Sequence, residues 1–364
     1  MREISSALLT AQQGSKRIPY VELIFHKEDG SDSIDYSDRR VLIKQHEEHL
    51  NEYATIILRN DDHAVQDIKG WWVEMLLGDK FFTEGAYGAK TITGLEGHKI
   101  GRLWVKSQMD LSSTGIKNYS SKKMIVLELD DKKLEETPCL LPGYNMLAPY
   151  HYVKIDEGFT PSWMIGYCVQ QINFGMEYSE EDDGFINSFI YAVFIINEKS
   201  YQTGKYESLK DVVERQLSYT KCYLRKKPSL TETASGMYKV VYPTDNDPIN
   251  ETYYSYQQPY FYEFVYTKNV VIPNKILSYC NYNYELETWD DLIVGVAEDQ
   301  ESIDAYGEVP FMFWAPEVTT QGEADFVAEA YLRRQKIASR GGRLIISLDH
   351  RVELFDRVKV FDAR

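Results

Sequence analysis

The residues best able to do chemistry are scattered along this chain, and each set misses the spacing its chemistry needs. His46-Glu47-Glu48-His49 places two imidazoles around two carboxylates. A hydrolytic zinc site needs H-E-x-x-H, with the histidines one helical turn apart and the glutamate beside the metal-bound water. Here the spacing is one residue short and the segment reads as a strand, so His46 and His49 face opposite sides. Solvated strand residues are the expectation. The loops at 180–184 (E-E-D-D-G) and Asp245-Asn246-Asp247 are rich in the oxygen ligands calcium takes, but lack the alternate-position pattern ending in a bidentate glutamate. Asp110, Glu128, Asp130 and Asp131 could supply a carboxylate pair for glycoside hydrolysis, which depends on a separation across one cleft. Among 56 acidic residues chance pairs are abundant, so this set carries little signal. There is no nucleophile elbow, phosphate-binding glycine loop or dinucleotide fingerprint. Cys139, Cys168, Cys222 and Cys280 form no C-x-x-C pair and are expected as buried free thiols. Asn118-Tyr119-Ser120 and Asn250-Glu251-Thr252 fit the glycosylation sequon, which carries little weight without a secretory signal. The sequence thus predicts no catalytic residue, no cofactor and no metal.

Binding is better represented than catalysis. The run from Tyr253 to Tyr266 reads Y-Y-S-Y-Q-Q-P-Y-F-Y-E-F-V-Y. Large rings with a polar tip suit protein interfaces, and they also stack on sugars. The alternation in P-Y-F-Y-E-F-V-Y fits a strand covered on both faces. Tyr253, Tyr254, Tyr256, Tyr260 and Tyr262 are therefore the candidate interface residues, with subunit interface or core ahead of saccharide contact. Tyrosine is abundant throughout, 28 residues against 15 Phe and 6 Trp, as expected of a β-rich fold with wet sheet faces.

The positioning elements follow from pattern. At 364 residues, 43% hydrophobic, the chain is long enough for two to four compact units. Its net charge of −16 repels phosphates and argues against sequence-specific nucleic-acid binding. The N-terminus lacks a signal-peptide core and no apolar run is long enough to span a bilayer, so a soluble chain made in a cytoplasm is expected. Ile4, Ala7, Leu8 and Ala11 recur at helical spacing. Tyr20 to His26, Arg40 to Glu48, Tyr53 to Arg59, Trp71 to Leu77, Arg102 to Ser107 and Met124 to Leu129 read as strands, with a glycine-rich loop from Gly85 to Gly101 and a turn from Leu111 to Gly115. Pro138, Pro142, Gly143 and Pro149 mark a boundary. Beyond it, Trp163 to Phe174 and Ser188 to Ile196 suggest strands. Ser208 to Leu224 reads as a helix capped by Ser208, and the stretch to Thr252 as irregular. Asn269 to Pro273, Lys275 to Cys280, Asp291 to Ala297 and Val309 to Trp314 read as strands. A helix over 321–340 follows, started by the Thr320/Glu323 capping box and stopped by Gly341-Gly342, and two strands end the chain.

The order of these segments resembles a known group. I-S-S-A-L-L-T-A-Q with R-I-P-Y-V-E-L-I-F, N-E-Y-A-T-I-I-L-R-N-D-D, D-I-K-G, R-L-W-V and S-S-T-G come first. S-L-K-D-V-V-E-R-Q-L, V-V-I-P-N-K-I-L, E-D-Q-E-S-I-D-A-Y-G, A-E-A-Y-L-R-R, G-R-L-I-I-S-L-D and V-E-L-F-D-R-V-K-V-F-D follow. Together they resemble the baseplate or tail hub proteins of tailed phages, the N-terminal part of tail-associated lysins and, more distantly, VgrG-like hubs. The resemblance implies a mainly β fold with some α: two small β-barrel domains at 1–137 and 260–364, joined by an inserted α+β domain at 138–259. It implies a homotrimeric virion protein, assembled in the host cytoplasm, that closes the distal end of the tail tube and anchors tip or fibre proteins during genome ejection. Its implied partners are copies of itself, the tail tube or distal tail protein, tip or fibre proteins and the tape measure protein. Tail lysins carry their hydrolase after this region, so no enzymatic activity is expected here. The alternatives are a peptidoglycan hydrolase component and a host-surface-binding module.

Overall fold

The structure, a computed structural model, describes residues 5–13, 19–84, 90–112, 123–130, 133–139, 152–177, 184–188, 191–196, 207–227, 236–283 and 288–363. The expectations placed on 180–183, Asp131, 118–120, 85–89, 113–115, Pro142, Gly143 and Pro149 lie outside the described residues. The chain is mainly β with a minority of helix, as its patterning predicts.

After helix α1 (Ser6–Gln13), strands β1 (Pro19–His26), β2 (Ser33–Asp35), β3 (Arg40–Glu48), β4 (Asn51–Arg59), β5 (Trp72–Glu84), β6 (Lys90–Ser112) and β7 (Lys123–Asp130) form a seven-stranded sheet. Its order is β2-β1-β5-β6-β7-β4-β3, antiparallel throughout. The period-2 geometry of a strand explains its one-sided core. On β4, Ala54, Ile56 and Leu58 are buried while Tyr53, Thr55 and Ile57 face away. They meet Leu23 and Phe25 of β1, Met75 of β5, Leu103 of β6 and Leu127 of β7. The sheet curls until its ends approach. Leu23 donates its amide to the Ser37 hydroxyl at 2.9 Å, and Arg40 at the start of β3 donates to the Val21 carbonyl of β1 at 2.8 Å. Even so, no ladder closes among the described residues, so the hydrogen bonding is that of an open curled sheet. Part of the expected glycine-rich loop, 90–101, is strand; its alternation was masked by its glycines.

Next come α2 (Lys133–Glu136), β8 (Tyr152–Phe159), α3 (Pro161–Gln171), β9 (Phe174–Glu177), α4 (Phe185–Ser188), β10 (Tyr191–Ile196), α5 (Leu209–Ser218), β11 (Tyr223–Lys227) and β12 (Gly236–Val241). The expected strand from Trp163 is a helix instead. Thr160 accepts the Trp163 amide as N-cap, Pro161 occupies the first turn where its missing N–H costs nothing, and Met164, Ile165, Cys168 and Val169 share one buried face. The residue types suited a strand; only the spacing of buried positions separates the two. Helix α5 has the expected start, with a reciprocal capping box between Ser208 and Asp211, but it ends at Ser218 and the chain turns into β11. That strand pairs with β12, which lies in the stretch expected to be irregular.

The C-terminal part holds β13 (Glu251–Tyr254), β14 (Phe261–Lys268), β15 (Lys275–Asn283), β16 (Thr288–Glu298), α6 (Gln300–Tyr306), β17 (Pro310–Ala315), α7 (Gln321–Ser339), β18 (Arg340–Ile346) and β19 (Val358–Phe361). β13 runs parallel to β19, β14 antiparallel to β18, and β16-β15-β17 form a three-stranded sheet beneath α7. Again no closed ladder forms among the described residues. Residues 269–273 are not a strand: Asn269 caps the α7 exit by donating to the Ser339 carbonyl. Nor do Gly341 and Gly342 form a loop after the helix. The chain enters β18 directly at Arg340, and Gly342 is required because a Cβ there would lie 2.7 Å from the Val265 carbonyl. A second apolar core joins Trp72 and Trp104 of the first sheet to α3 and α5, and to Ala315, Ala324 and Val327 of the C-terminal part.

Candidate functional site: an aromatic surface on the C-terminal strands

The predicted interface tyrosines separate into two kinds. Tyr253 is only 2% exposed and donates its hydroxyl to the Asp349 carboxylate at 3.0 Å. Burial first, then the Asp349 charge, pushes its phenol well above the usual tyrosine range, so it stays a neutral donor. It is a structural residue in this fold. Tyr254 packs with Tyr256 and Phe361, ring centres 5.7 and 6.1 Å away, which groups the ends of β13 and β19. Tyr256, Tyr260 and Tyr262 are exposed, Tyr262 at 67% with its hydroxyl 2.8 Å from that of Ser347. Alternation along β13 turns Tyr253 in and Tyr254 out.

The structure adds a surface that sequence reasoning missed. In the β16-β15-β17 sheet, register aligns Val296, Leu277 and Met312 in one row, and Val294, Tyr279 and Trp314 in the next. These rows lie on the face away from α7; Ile276, Ser278 and Cys280 alternate to the buried face beneath it. Met312 is 58% and Trp314 62% exposed. Tyr279 donates its hydroxyl to the Met312 sulfur at 3.3 Å, and its ring lies 5.3 Å from that of Trp314. Lys275 stands at the rim between Glu298 and Glu308, at 3.0 and 2.9 Å. A contiguous apolar patch with a charged rim is the composition of a protein-contact surface. The available signal was that K-I-L-S-Y-C and P-F-M-F-W-A carry apolar residues at both alternating positions, the pattern of strands covered on both faces.

The other candidate groups are accounted for locally. His46 stacks on Tyr53 and pairs with Glu48 at 2.7 Å. His49 turns inward, its Nδ1 3.2 Å from the Leu224 carbonyl, and burial pulls its pKa down to about 4. A folded-state pKa below the unfolded 6.5 means the neutral form is the one the fold accepts. His49 therefore contributes fully above pH 6.5, and stability falls by roughly 3 kcal/mol as pH drops from there to about 4. Chemical denaturation across that window is expected to show this slope, and His49→Gln to flatten it. Glu128 accepts from Ser107, and Asp130 lies 3.9 Å from Lys106. The Asp247 carboxylate accepts from the Thr244 amide, and Asp245 pairs with Arg340 at 2.9 Å. The four cysteines are buried and form no disulfide. A hydrogen bond with Cys139 and burial raise the Cys168 thiol, and burial pushes Cys280 up to about 11, the opposite of an activated nucleophile. Among the described residues no group of three or more His, Cys, Asp or Glu is arranged to hold a metal. No helix among them is long and apolar enough to cross a membrane.

No protein-family model matches the chain, and no curated protein matches it. Its structural neighbours are phage tail and baseplate proteins. The structure is similar to the crystal structure of the 43 kDa tail protein of prophage MuSo2 from Shewanella oneidensis, with a TM-score of 0.56 at 11% identity, covering 94% of this chain and 89% of that one. A weaker likeness is to the prophage tail protein gp18 of Listeria monocytogenes EGD-e, with a TM-score of 0.43 at 11% identity over 83% of this chain and 76% of that one. The first likeness shows a shared fold across nearly the whole chain.

Proposed function

We propose that this chain is a structural protein of a phage tail, a hub that assembles as a homotrimer, closes the distal end of the tail tube and anchors tip or fibre proteins during DNA delivery. The observation that carries this reading is the fold shared with the MuSo2 tail protein over 94% of the chain. In this reading residues 1–137 and 260–364 act as two barrel-like modules around the insertion at 138–259, and three subunits present six such modules to the tube. The Met312/Trp314 face and the exposed Tyr256, Tyr260 and Tyr262 supply the contacts between copies and to neighbouring tail proteins. Apolar sheet faces and open strand edges are hazards in a monomer, and a closed ring covers them. The net charge of −16 favours passage of DNA over its capture. No step of this role requires catalysis. The tyrosines could instead contact host saccharides, but their packing among strand ends favours assembly.

Sedimentation tests the assembly claim. The unsubstituted chain is expected to sediment as a trimer at micromolar concentration. The double substitution Met312→Lys and Trp314→Asp places charges on the apolar face and is expected to weaken association at least about 100-fold, as loss of an aromatic hot spot does, while far-ultraviolet circular dichroism is unchanged. A chain that stays monomeric at every concentration would contradict the trimer.

A further inference from the structure

Residues 347–357, between β18 and β19, contain no helix or strand, yet they contact the first sheet, β11 and β13. Towards the first sheet, His350 lies 3.4 Å from Asp79 of β5, both side chains wholly buried. Gln12 of α1 donates to the Leu348 carbonyl at 3.4 Å and to Asp349 at 3.3 Å. Towards β11, Arg225 reaches Glu353 at 3.4 Å, Asp356 at 3.2 Å and the Leu354 carbonyl at 3.3 Å, with all three ionic side chains at most 8% exposed. Towards β13, Asp349 accepts from Tyr253, and Arg351 bridges Asp349 and Glu251.

The manner of attachment sets this segment apart. The residues of 347–357 that are fully buried, His350 and Glu353, are both ionisable. None of the segment's apolar residues belongs to the buried membership of either large core. Its aromatic residue, Phe355, sits half-buried in left-handed backbone at φ 72°, a conformation that side chains seldom adopt, and is held against Tyr223 and His49 at ring distances of 4.7 and 6.1 Å. Burial of charge in this form makes specific contacts with little net stabilisation, because desolvation offsets the attraction. Segments anchored this way, with few buried apolar contacts, open at lower free energy than packed cores.

We propose that residues 347–357 are a latch that opens as a unit while both large apolar cores stay folded, releasing the first sheet from the C-terminal strands at this seam. The inference is independent of the assembly role proposed above, since it concerns one chain. Native-state hydrogen exchange on the full chain under mildly destabilising denaturant tests it. Amides of 347–357 are expected to exchange at least tenfold faster than those of β7 and α3, through an opening that leaves β7 and α3 protected. Arg225→Met removes the β11 anchor and is expected to add a further tenfold or more in 347–357, with β7 and α3 unchanged. Exchange of 347–357 only together with β7 and α3 would overturn the latch, as would an Arg225→Met chain that speeds all three alike. If Arg225→Met does not fold, the unsubstituted chain decides alone, since its exchange pattern separates the two outcomes.

Discussion

Gly295→Val is expected to destroy the packing of α7 on its sheet and to cost at least about 4 kcal/mol, at the severe end for a single substitution. A Cβ at Gly295 would lie 2.1 Å from the Ala324 carbonyl oxygen and 2.2 Å from its carbon. These are backbone atoms of the first turns of α7, so no rotamer change relieves the clash. The helix approaches this closely because its inward face carries Ala324 and Ala328 beside Val327 and Leu332, all buried. Ser278 of β15 completes the joint by donating its hydroxyl to the same carbonyl at 2.8 Å. Pushing the helix outward would break that bond and uncover the small cluster of Ile276, Ala297, Ala328 and Leu332. Gly322→Ala is the control: nothing lies within 4 Å of its Cβ position. It is expected to be neutral or to gain up to about 1 kcal/mol from helix propensity. Urea unfolding of both variants reads the difference. A Gly295→Val chain as stable as the unsubstituted one would show that α7 does not sit where described.

Arg215→Met is expected to lose about 3–5 kcal/mol, the usual cost of removing one partner from a buried ion pair. Arg215 on α5 donates to Glu317 at 3.0 Å and to Glu207 at 3.3 Å, and the Glu317 side chain has no exposure at all. Tyr219 donates its hydroxyl to the other Glu317 oxygen. Glu317 lies just before α7, so this node fastens the middle of the chain to its C-terminal part across 102 residues of sequence. With the cation gone, a carboxylate remains buried with one neutral donor. Arg215→Met combined with Glu317→Gln removes the buried Glu317 charge and keeps an acceptor for Tyr219, so about half the loss should return, the rest staying with Glu207. No recovery in the double variant would mean that packing of the arginine stem, and not charge, sets the cost.

What the sequence discloses and what it hides follow from range. Short runs of strand-favouring residues bounded by turn signals expose β1, β3, β4, β7, β15, β16 and β17, and local caps expose the starts of α5 and α7, because each signal is complete within one segment. Trp163 to Ile172 carries residues that suit either a strand or a buried helix, and Thr160-Pro161 was the local sign that a helix begins there. Pairing of β13 with β19 joins Tyr253 to Val360, and no local pattern records a partner so far along the chain. For the candidate surface, the tyrosine run does not tell Tyr253, which is buried, from Tyr262, which is exposed. The Met312/Trp314 face arises only when β17 adds beside β15 in parallel, so its rows cannot be assembled from either strand alone.

We propose that this chain is a tail component present in three copies at the distal end of the tube. Electron cryomicroscopy of tail particles carrying the chain, with its position fixed by a bound antibody fragment, tests that most directly. Three symmetry-related copies closing the tube are expected, with the Met312/Trp314 face covered by a neighbouring subunit or tail protein. Particles whose tube ends lack the chain, or hold it with that face open to solvent, would contradict it.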